Sequence, residues 1–143
     1  MATAKTVFER AVEAWNARDE AGILALVSPD VELMASGGLD FHGREGMRQW
    51  YRLWGEACPD RVVQYTNVLS GPHQVIGEGT FIGTHTGILH MPNGDVPPTG
   101  RRLQADFVAA FKVADDKITY MRHYLDVMDL MVQLGLVPAP AEA

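Results

Sequence analysis

The chain has 143 residues, of which 47% are hydrophobic and 21% are charged. That length suits one globular domain, and it disfavours a (β/α)₈ barrel, which needs about 250 residues, or a complete dinucleotide-binding domain. Eighteen acidic residues against twelve basic ones give a net charge of −6, which is the wrong sign for a surface that follows nucleic acid phosphates.

Membrane, disulfide and metal signals are missing from the sequence. No apolar run approaches the roughly 18 residues of a membrane span, and the first ten residues lack the layout of a secretory signal. The single cysteine, Cys58, excludes an internal disulfide and a CxxC site, and the five histidines form no i, i+4 pair. We therefore expect a cytoplasmic protein without a metal, and without nucleic acid or membrane as a partner.

Helical periodicity marks the first third of the chain. Thr6 and Glu9 have the spacing of a capping box at the first helix, and Asp19 can cap a second helix that ends at Ser28-Pro29. A short strand at Val31–Met34 and a glycine-containing stretch then lead into a third helix, which Pro59 ends. The apolar stripes of the first and third helices are Phe8, Val12 and Trp15, and Met47, Trp50, Tyr51 and Trp54.

Strand alternation replaces helical periodicity from Arg61 onward. The predicted strands are Arg61–Leu69, Gln74–Met91, Arg101–Ala114 and Lys117–Asp126, followed by a short helix, Val127–Leu134. This order predicts one α+β domain over residues 1–138, a cone-shaped barrel in which a curved antiparallel sheet packs on three helices from the N-terminal half. Residues 139–143 are expected to fray.

Four glycines of the second long strand share one face of that strand. A face without side chains indicates sharp bending or the close approach of another group. Either the curvature encloses a cavity, into which Phe81, His85 and Leu89 point, or a helix backbone packs against the glycines. The opposite face, Thr80–Ile88, is β-branched and favours a homodimer or a higher homo-oligomer. The glycines are Gly77, Gly79, Gly83 and Gly87.

Asp126 lies where the last strand gives way to the last helix. Its carboxylate can cap that helix. In a partly apolar cavity mouth, desolvation would also raise its pKa toward the value that a general acid or base needs near neutral pH. On the third long strand, Phe107 and Phe111 lie on an apolar face that fits a core or a pocket wall equally well.

Four short stretches resemble the SnoaL-like polyketide cyclases. This family lies within the superfamily of cone-shaped α+β barrels that includes nuclear transport factor 2, ketosteroid isomerase and limonene epoxide hydrolase. The likeness runs from about Val7 to Pro138. The stretches are Trp15-Asn16-Ala17-Arg18-Asp19, Gly83-Thr84-His85-Thr86-Gly87, Pro97-Pro98-Thr99-Gly100-Arg101, and Tyr124-Leu125-Asp126 with Gln133-Leu134-Gly135.

The resemblance implies a cofactor-independent enzyme. In the cyclases, the aspartate at the position of Asp126 is the acid and base for an intramolecular aldol step, without metal or cofactor. This implies that Asp126 is the proton shuttle and that His85 is its neighbour in the pocket. One departure is Ala109, which stands where those cyclases carry a histidine, so the substrate and the reaction can differ.

Related chemistries fit the sequence less well. Epoxide hydrolases of this fold need an Asp-Arg-Asp set, and Gly83 and His85 stand where the Arg and the first Asp would be. Ketosteroid isomerases need a tyrosine and two aspartates, and the matching positions resemble Ala11, Ala35 and Ala109. Both alternatives lose residues that carry the chemistry.

The leading hypothesis is therefore an acid/base enzyme that acts on a small hydrophobic carbonyl compound of the polyketide or terpenoid type. Asp126 would move the proton in a cyclisation or isomerisation, and His85 would hydrogen-bond the carboxyl group or the substrate oxygen. Two alternatives stay open: addition of water to an epoxide, with Asp126 activating the water, and a non-catalytic binding module in which Asp126 is only a cap. The expected substrate-binding residues are Trp50, Tyr51, Trp54, Phe107, Phe111 and Tyr124.

Overall fold

A computed structural model describes residues 2–139. The elements of this range are, in chain order, α1 (Ala4–Asn16), α2 (Glu20–Leu26), β1 (Val27–Ala35), β2 (Leu39–His42), α3 (Gly43–Ala57), β3 (Val62–Ser70), β4 (Gln74–Thr84), β5 (Leu89–Met91), β6 (Gly94–Val96), β7 (Arg102–Ala114), β8 (Lys117–Leu125) and α4 (Val127–Gln133). None of the helices between residues 2 and 139 has both the length and the apolar character that a membrane crossing requires. Most of the tail that was expected to fray lies outside the described residues.

Six strands form a curled sheet in the order β2-β1-β8-β7-β4-β3, and β5 and β6 form a separate hairpin. The predicted α+β class is confirmed. Three features were not predicted, the first of which is the β5–β6 hairpin, since no strand was expected between Met91 and Arg101. The stretch before α3 contains β2, and β1 pairs with β8 in parallel, which is possible because the long connection between them contains most of the remaining chain.

Helices α1 and α2 begin at side-chain caps. Thr3 caps α1 by accepting a hydrogen bond from the backbone N–H of Thr6 at 3.1 Å, so the helix begins earlier than the Thr6–Glu9 spacing predicted. Asp19 caps α2, as predicted. On the buried side of α1, the Phe8 ring packs edge-on against Tyr65 of β3 at 4.8 Å, which ties the helix to the concave face of the sheet.

Helix α3 lies across the concave face and ends at a backbone contact with the chain that follows β4. Its buried side chains have the predicted i, i+3, i+4, i+7 spacing. At its C-terminus the carbonyl of Ala57 accepts hydrogen bonds from the N–H groups of Thr86 and Gly87, both at 3.1 Å. These bonds satisfy a carbonyl that the helix itself leaves unpaired.

That contact also explains why β4 ends at Thr84 and does not continue to Met91. A Cβ atom on Gly87 would lie 1.8 Å from the carbonyl oxygen of Glu56, and one on Gly83 would lie 2.8 Å from Cβ of Cys58. The end of α3 therefore packs against the last two glycines, while Phe81 still lines a cavity. The expected packing of a helix backbone is therefore found at the last two glycines. Of the three side chains expected to point into a cavity, only Phe81 lines it, and His85 and Leu89 are buried elsewhere.

Candidate functional site

A cavity of about 90 Å³ lies between the helices and the concave face of the sheet. Its wall is almost entirely apolar and aromatic, and no Asp or Glu side chain lines it. Among the lining residues, the polar groups other than indole N–H are the Ser36 hydroxyl, the Tyr65 hydroxyl and the His123 imidazole. Such a cavity selects an apolar ligand and offers few groups to orient it.

Four of the six predicted substrate-binding residues line this cavity: Trp50, Trp54, Phe107 and Phe111. Their role in binding a substrate stays a prediction. The other two lie elsewhere. Tyr51 packs edge-on against Trp15 behind the wall, and Tyr124 is 54% exposed because it follows His123 on β8 and therefore projects from the opposite face of the sheet.

Asp126 does not lie in the cavity. It is exposed, and its Oδ1 atom accepts a hydrogen bond of 2.9 Å from the backbone N–H of Asp129. It is thus the N-cap of α4. Leu125, the residue before it, is the last residue of β8 that lines the cavity. Asp126 therefore follows the cavity-lining residues of β8 and does not belong to them. The structure does not support its expected place beside the substrate.

His85 is also outside the cavity wall. Its ring is completely buried, and Nδ1 accepts a hydrogen bond from the Thr99 N–H at 3.2 Å and contacts the Thr99 hydroxyl at 2.9 Å. Burial lowers the pKa of this imidazole. Because β4 ends one residue earlier, the alternation that was expected to point His85 inward no longer applies. His85 fixes the loop before β7 to the end of β4.

His123 is the titratable side chain on the cavity wall that carries a nitrogen base. It lies on β8 between Met121 and Leu125, which share its face, and its ring centroid is 5.1 Å from that of Trp50 and 5.9 Å from that of Phe107. Its Nδ1 atom is buried and has no hydrogen-bond partner among residues 2–139. Burial lowers the pKa of His123 to about 4. The imidazole is therefore neutral at pH 7, with one nitrogen as donor and the other as acceptor.

The sequence contained a signal for His123 that the prediction did not use. Alternation along the last strand places His123 on the same face as Met121 and Leu125, which makes it a polar residue on an apolar face. The sheet register also pairs it with Ala109 on β7. Cross-strand neighbours project side by side. An imidazole thus lies next to the position where the resemblance led us to expect one and where the chain has alanine.

The remaining polar groups of the wall differ in whether they can still hydrogen-bond a ligand. Ser36 accepts a hydrogen bond of 3.0 Å from the N–H of Leu125 and so joins β1 to the end of β8. Burial raises the pKa of the Tyr65 phenol, which keeps it protonated and able to donate. Nε1 of Trp15 is buried without a partner among residues 2–139. Within the same range there is no cluster of three or more His, Cys, Asp or Glu residues that would hold a metal ion.

Comparison with solved structures shows the fold of the chain. A candidate SnoaL-like polyketide cyclase from Jannaschia sp. CCS1 is similar over 94% of this chain and 93% of that one, with 20% identity and a TM-score of 0.81. AclR, a candidate hydroxylase from Streptomyces galilaeus, is similar over 97% and 85%, with 24% identity and a TM-score of 0.80. A protein with a ketosteroid isomerase-like fold from Catenulispora acidiphila, in complex with trimethylamine, is similar over 98% and 100%, with 16% identity and a TM-score of 0.77.

Sequence comparison gives the family. No curated protein matches the chain. The sequence model of the SnoaL-like domain matches residues 8–121, which cover well over half of the chain and include most of α1, all of α3 and most of the sheet. Of the residues that line the cavity, His123, Leu125 and Leu130 lie beyond the match. The chain therefore belongs to the SnoaL-like domain family.

Proposed function

We propose that this protein is a cofactor-independent acid/base enzyme that binds a small carbonyl compound in the cavity, with His123 as the group that moves the proton. The observation that carries the proposal is a neutral imidazole on an otherwise apolar wall, with one ring nitrogen that has no partner among residues 2–139. Asp126, which sequence and resemblance favoured, is exposed and caps α4. Membership of a family with candidate cyclases among the similar structures supports the same class of reaction.

The reaction needs one base and an environment that stabilises the negative charge of an enolate. The basic nitrogen of His123 takes a proton from the carbon next to the substrate carbonyl, and the electron pair of the broken C–H bond moves into an enolate. The enolate carbon then attacks a second carbonyl of the same molecule, closing a ring, or takes a proton at another carbon, shifting a double bond. The imidazolium returns its proton to the new alkoxide or to that carbon, so nothing is consumed.

The low pKa of His123 sets a condition on this step. A pKa of about 4 makes the imidazole a weak base in the empty cavity. An enolate that forms beside it favours the charged imidazolium, because an opposite charge nearby raises the pKa of a base. Proton transfer and enolate stabilisation must therefore occur together, and the Tyr65 phenol and the Trp15 indole N–H are the donors on the cavity wall that can assist.

The size of the cavity limits the substrate. Its volume of about 90 Å³ is below the roughly 300–1,000 Å³ of pockets that hold drug-sized ligands. We therefore expect a substrate with a single ring. Met47 and Met121 line the cavity, and methionine is the side chain that adapts most easily to a ligand.

Hydrogen exchange at the acidic carbon tests the proposal without knowledge of the natural substrate. Single-ring ketones and 1,3-diketones are incubated in D₂O with the wild-type protein, and deuterium at the carbon next to the carbonyl is followed by proton NMR. We expect catalysed exchange in the wild type and at least a hundredfold loss in His123→Phe. Asp126→Asn is the matched control, because it keeps the cap of α4, and it should exchange at the wild-type rate.

Two results would reject the assignment of His123. One is exchange that survives His123→Phe, and the other is exchange that disappears in Asp126→Asn while the circular dichroism spectrum stays native. The second result would return the proton shuttle to Asp126, as the resemblance implied. Product with an ¹⁸O-labelled hydroxyl group at a carbon that was not a carbonyl carbon would instead favour addition of water to an electrophile.

A non-catalytic binding module is the second candidate, and one observation favours it. The residues that line the cavity include no carboxylate, so the wall lacks the common protein base for carbon acids. This candidate predicts that the same ketones bind, seen as quenching of tryptophan fluorescence from Trp50 and Trp54, while none of them exchanges deuterium faster than in buffer. Catalysed exchange would exclude it.

A further inference from the structure

Arg61 is a buried positive charge that neither the fold nor the proposed reaction has yet used. It lies just before β3, and only 3% of its surface is exposed. Its Nε atom is enclosed and has no hydrogen-bond partner among residues 2–139. A guanidinium group stays ionised at every pH that the protein experiences. Burying such a charge without a counter-ion is costly.

The adjacent carboxylate does not neutralise this charge. Asp60 accepts hydrogen bonds from the Thr84 N–H at 2.7 Å and from the Thr84 hydroxyl at 2.8 Å, and none of the ion pairs among residues 2–139 includes Arg61. The guanidinium instead lies over two aromatic rings, with Cζ 4.6 Å from the centre of Tyr51 and 5.3 Å from that of Trp15. Cation–π contact offsets part of the desolvation cost but leaves the net charge in place.

The same charge lies directly behind the cavity wall. Trp15 contacts the guanidinium and also lines the cavity, and Val63, two residues after Arg61, lines it as well. The Trp15 Nε1–H is buried without a partner within the described range, so a residue of this wall has an unused donor in addition to the positive charge behind it. No carboxylate on the wall opposes that charge. In an apolar site of this kind, charge acts over longer distances than in water.

We propose that the cavity binds its ligand as an anion, the enolate or phenolate form of a weakly acidic carbonyl or phenolic compound, and that Arg61 supplies the positive charge that stabilises it. The inference rests on the proposed function and deepens it, because it names the ionisation state of the ligand. When the ligand loses its C–H proton to His123, or its O–H proton to water before it binds, the electron pair stays on the ligand as an oxyanion. Arg61 acts through the Trp15 wall, and it is a positioning and electrostatic residue that need not touch the ligand.

Ionisation of a bound coloured phenol measures this effect directly. The probe is 4-nitrophenol, whose phenolate absorbs at longer wavelength than the phenol, and nitrobenzene is its neutral counterpart. Between pH 5 and 9 the other titratable groups of the ligand-free site stay fixed, and repeating the titration in His123→Phe removes the base whose pKa a bound phenolate would raise. Burial lowers the pKa of His123 to about 4 and raises the pKa of Tyr65. Near Arg61, burial raises the pKa of Cys58 to about 12, and the Thr84 N–H lowers that of Asp60.

Three variants separate charge from packing. Arg61→Met removes the charge and keeps much of the side-chain volume, Arg61→Lys keeps the charge, and Arg52→Met removes an exposed arginine of α3. In the wild type, the pKa of bound nitrophenol should lie at or below that of the free probe. It should rise by about one unit, a tenfold loss of phenolate affinity, in Arg61→Met. Arg61→Lys and Arg52→Met should keep the wild-type value, and nitrobenzene should bind equally to all four proteins.

Several outcomes would overturn the inference. A pKa of the bound probe two or more units above the free value in the wild type shows that the cavity excludes anions, and this measurement stands even if Arg61→Met fails to fold. If Arg61→Met loses affinity for nitrophenolate and for nitrobenzene to the same extent, Arg61 contributes only to the packing of the cavity wall. Either result leaves the His123-dependent exchange untouched. If neither probe binds to the wild type, the cavity is not a ligand-binding site, and the proposed function is rejected as well.

Discussion

The cavity end of β8 holds a half-buried histidine, His123, and the segment that follows β4 holds a fully buried one, His85. On β8 the sheet continues past His123, so its ring faces a space lined by aromatic side chains, and Nδ1 has no partner within residues 2–139. After β4 the chain has left the sheet, and Nδ1 of His85 is bonded twice to Thr99. Each ring keeps one nitrogen without a partner within residues 2–139, Nδ1 of His123 and Nε2 of His85. Since His123 lines the cavity and His85 does not, His123 is the functional candidate.

The largest expected effect comes from breaking the tightly packed segment at Gly87. A Cβ atom there would lie 1.8 Å from the carbonyl oxygen of Glu56, a backbone atom that cannot turn aside. Gly87→Ala should lower the free energy of unfolding in urea by about 3 kcal/mol or more. Gly71→Ala is the control, because its new Cβ would be 3.9 Å from the nearest atom. Equal stability of the two variants would show that the segment does not pack against α3 in this way.

The second largest effect is expected at His123, in the pH dependence of the free energy of unfolding. The folded state holds its pKa near 4, whereas the unfolded chain has an ordinary value of about 6.5. Between these values the unfolded state binds more protons, so the wild type loses stability as the pH falls from about 6.5 to 4, by roughly 3 kcal/mol in total. His123→Phe should lack this part of the loss.

Urea unfolding at pH 4, 5, 6 and 7 measures this difference. His73→Gln, which removes an exposed histidine, should follow the wild-type curve. A pH dependence in His123→Phe that equals that of the wild type would show that the imidazole is solvated and free to protonate in the folded protein.

The two regions also differ in how much their sequence predicts. Along β7, Leu103, Ala105 and Phe107 are buried in the alternation that the sequence predicts, since a central strand with one covered face imposes that pattern locally. The end of β4 depends on the contact between Gly87 and Glu56, 31 positions apart in the chain. A local pattern does not contain such a contact, so the strand was predicted to run on through His85.

The candidate site shows a second limit of sequence reasoning. Phe107 and Phe111 were expected on a pocket wall and lie there, because their faces follow from strand alternation. Asp126 was selected by resemblance and by its place between a strand and a helix, and these features describe a helix cap equally well. His123 follows from alternation on β8, but its significance depends on Trp50 of α3, whose ring lies 5.1 Å away. That proximity comes from the tertiary fold.

A smaller effect is expected at Asp126, the carboxyl group just outside the cavity. Asp126→Ala removes the acceptor for the Asp129 N–H and should lower the free energy of unfolding by about 1 kcal/mol. Asp126→Asn should lose only a few tenths of a kcal/mol, since asparagine caps helices as well as aspartate does. Thermal unfolding of the three proteins at pH 7 compares them. An Asn variant as unstable as the Ala variant would mean that the negative charge, and not the cap, stabilises α4.

The smallest effect on stability is expected on the outer face of the sheet, where the concave cavity has an apolar counterpart. Val108 is paired with Glu78 on β4 and with Tyr124 on β8, and Ile76, Val108 and Tyr124 are 45%, 37% and 54% exposed. The predicted self-association through Thr80–Ile88 would use this patch, because β4 ends at Thr84 and the exposed apolar residues continue across β7 and β8. We therefore expect a homodimer at micromolar concentration.

Val108→Lys places a charge in the middle of that patch. It should leave the free energy of unfolding of the isolated chain within about 0.5 kcal/mol of the wild type, because the side chain is already exposed. It should convert the dimer to a monomer in sedimentation velocity, whereas Gln49→Lys, on the exposed side of α3, should stay dimeric. A wild type that sediments as a monomer would show that this apolar face is exposed to water and would reject the homodimer.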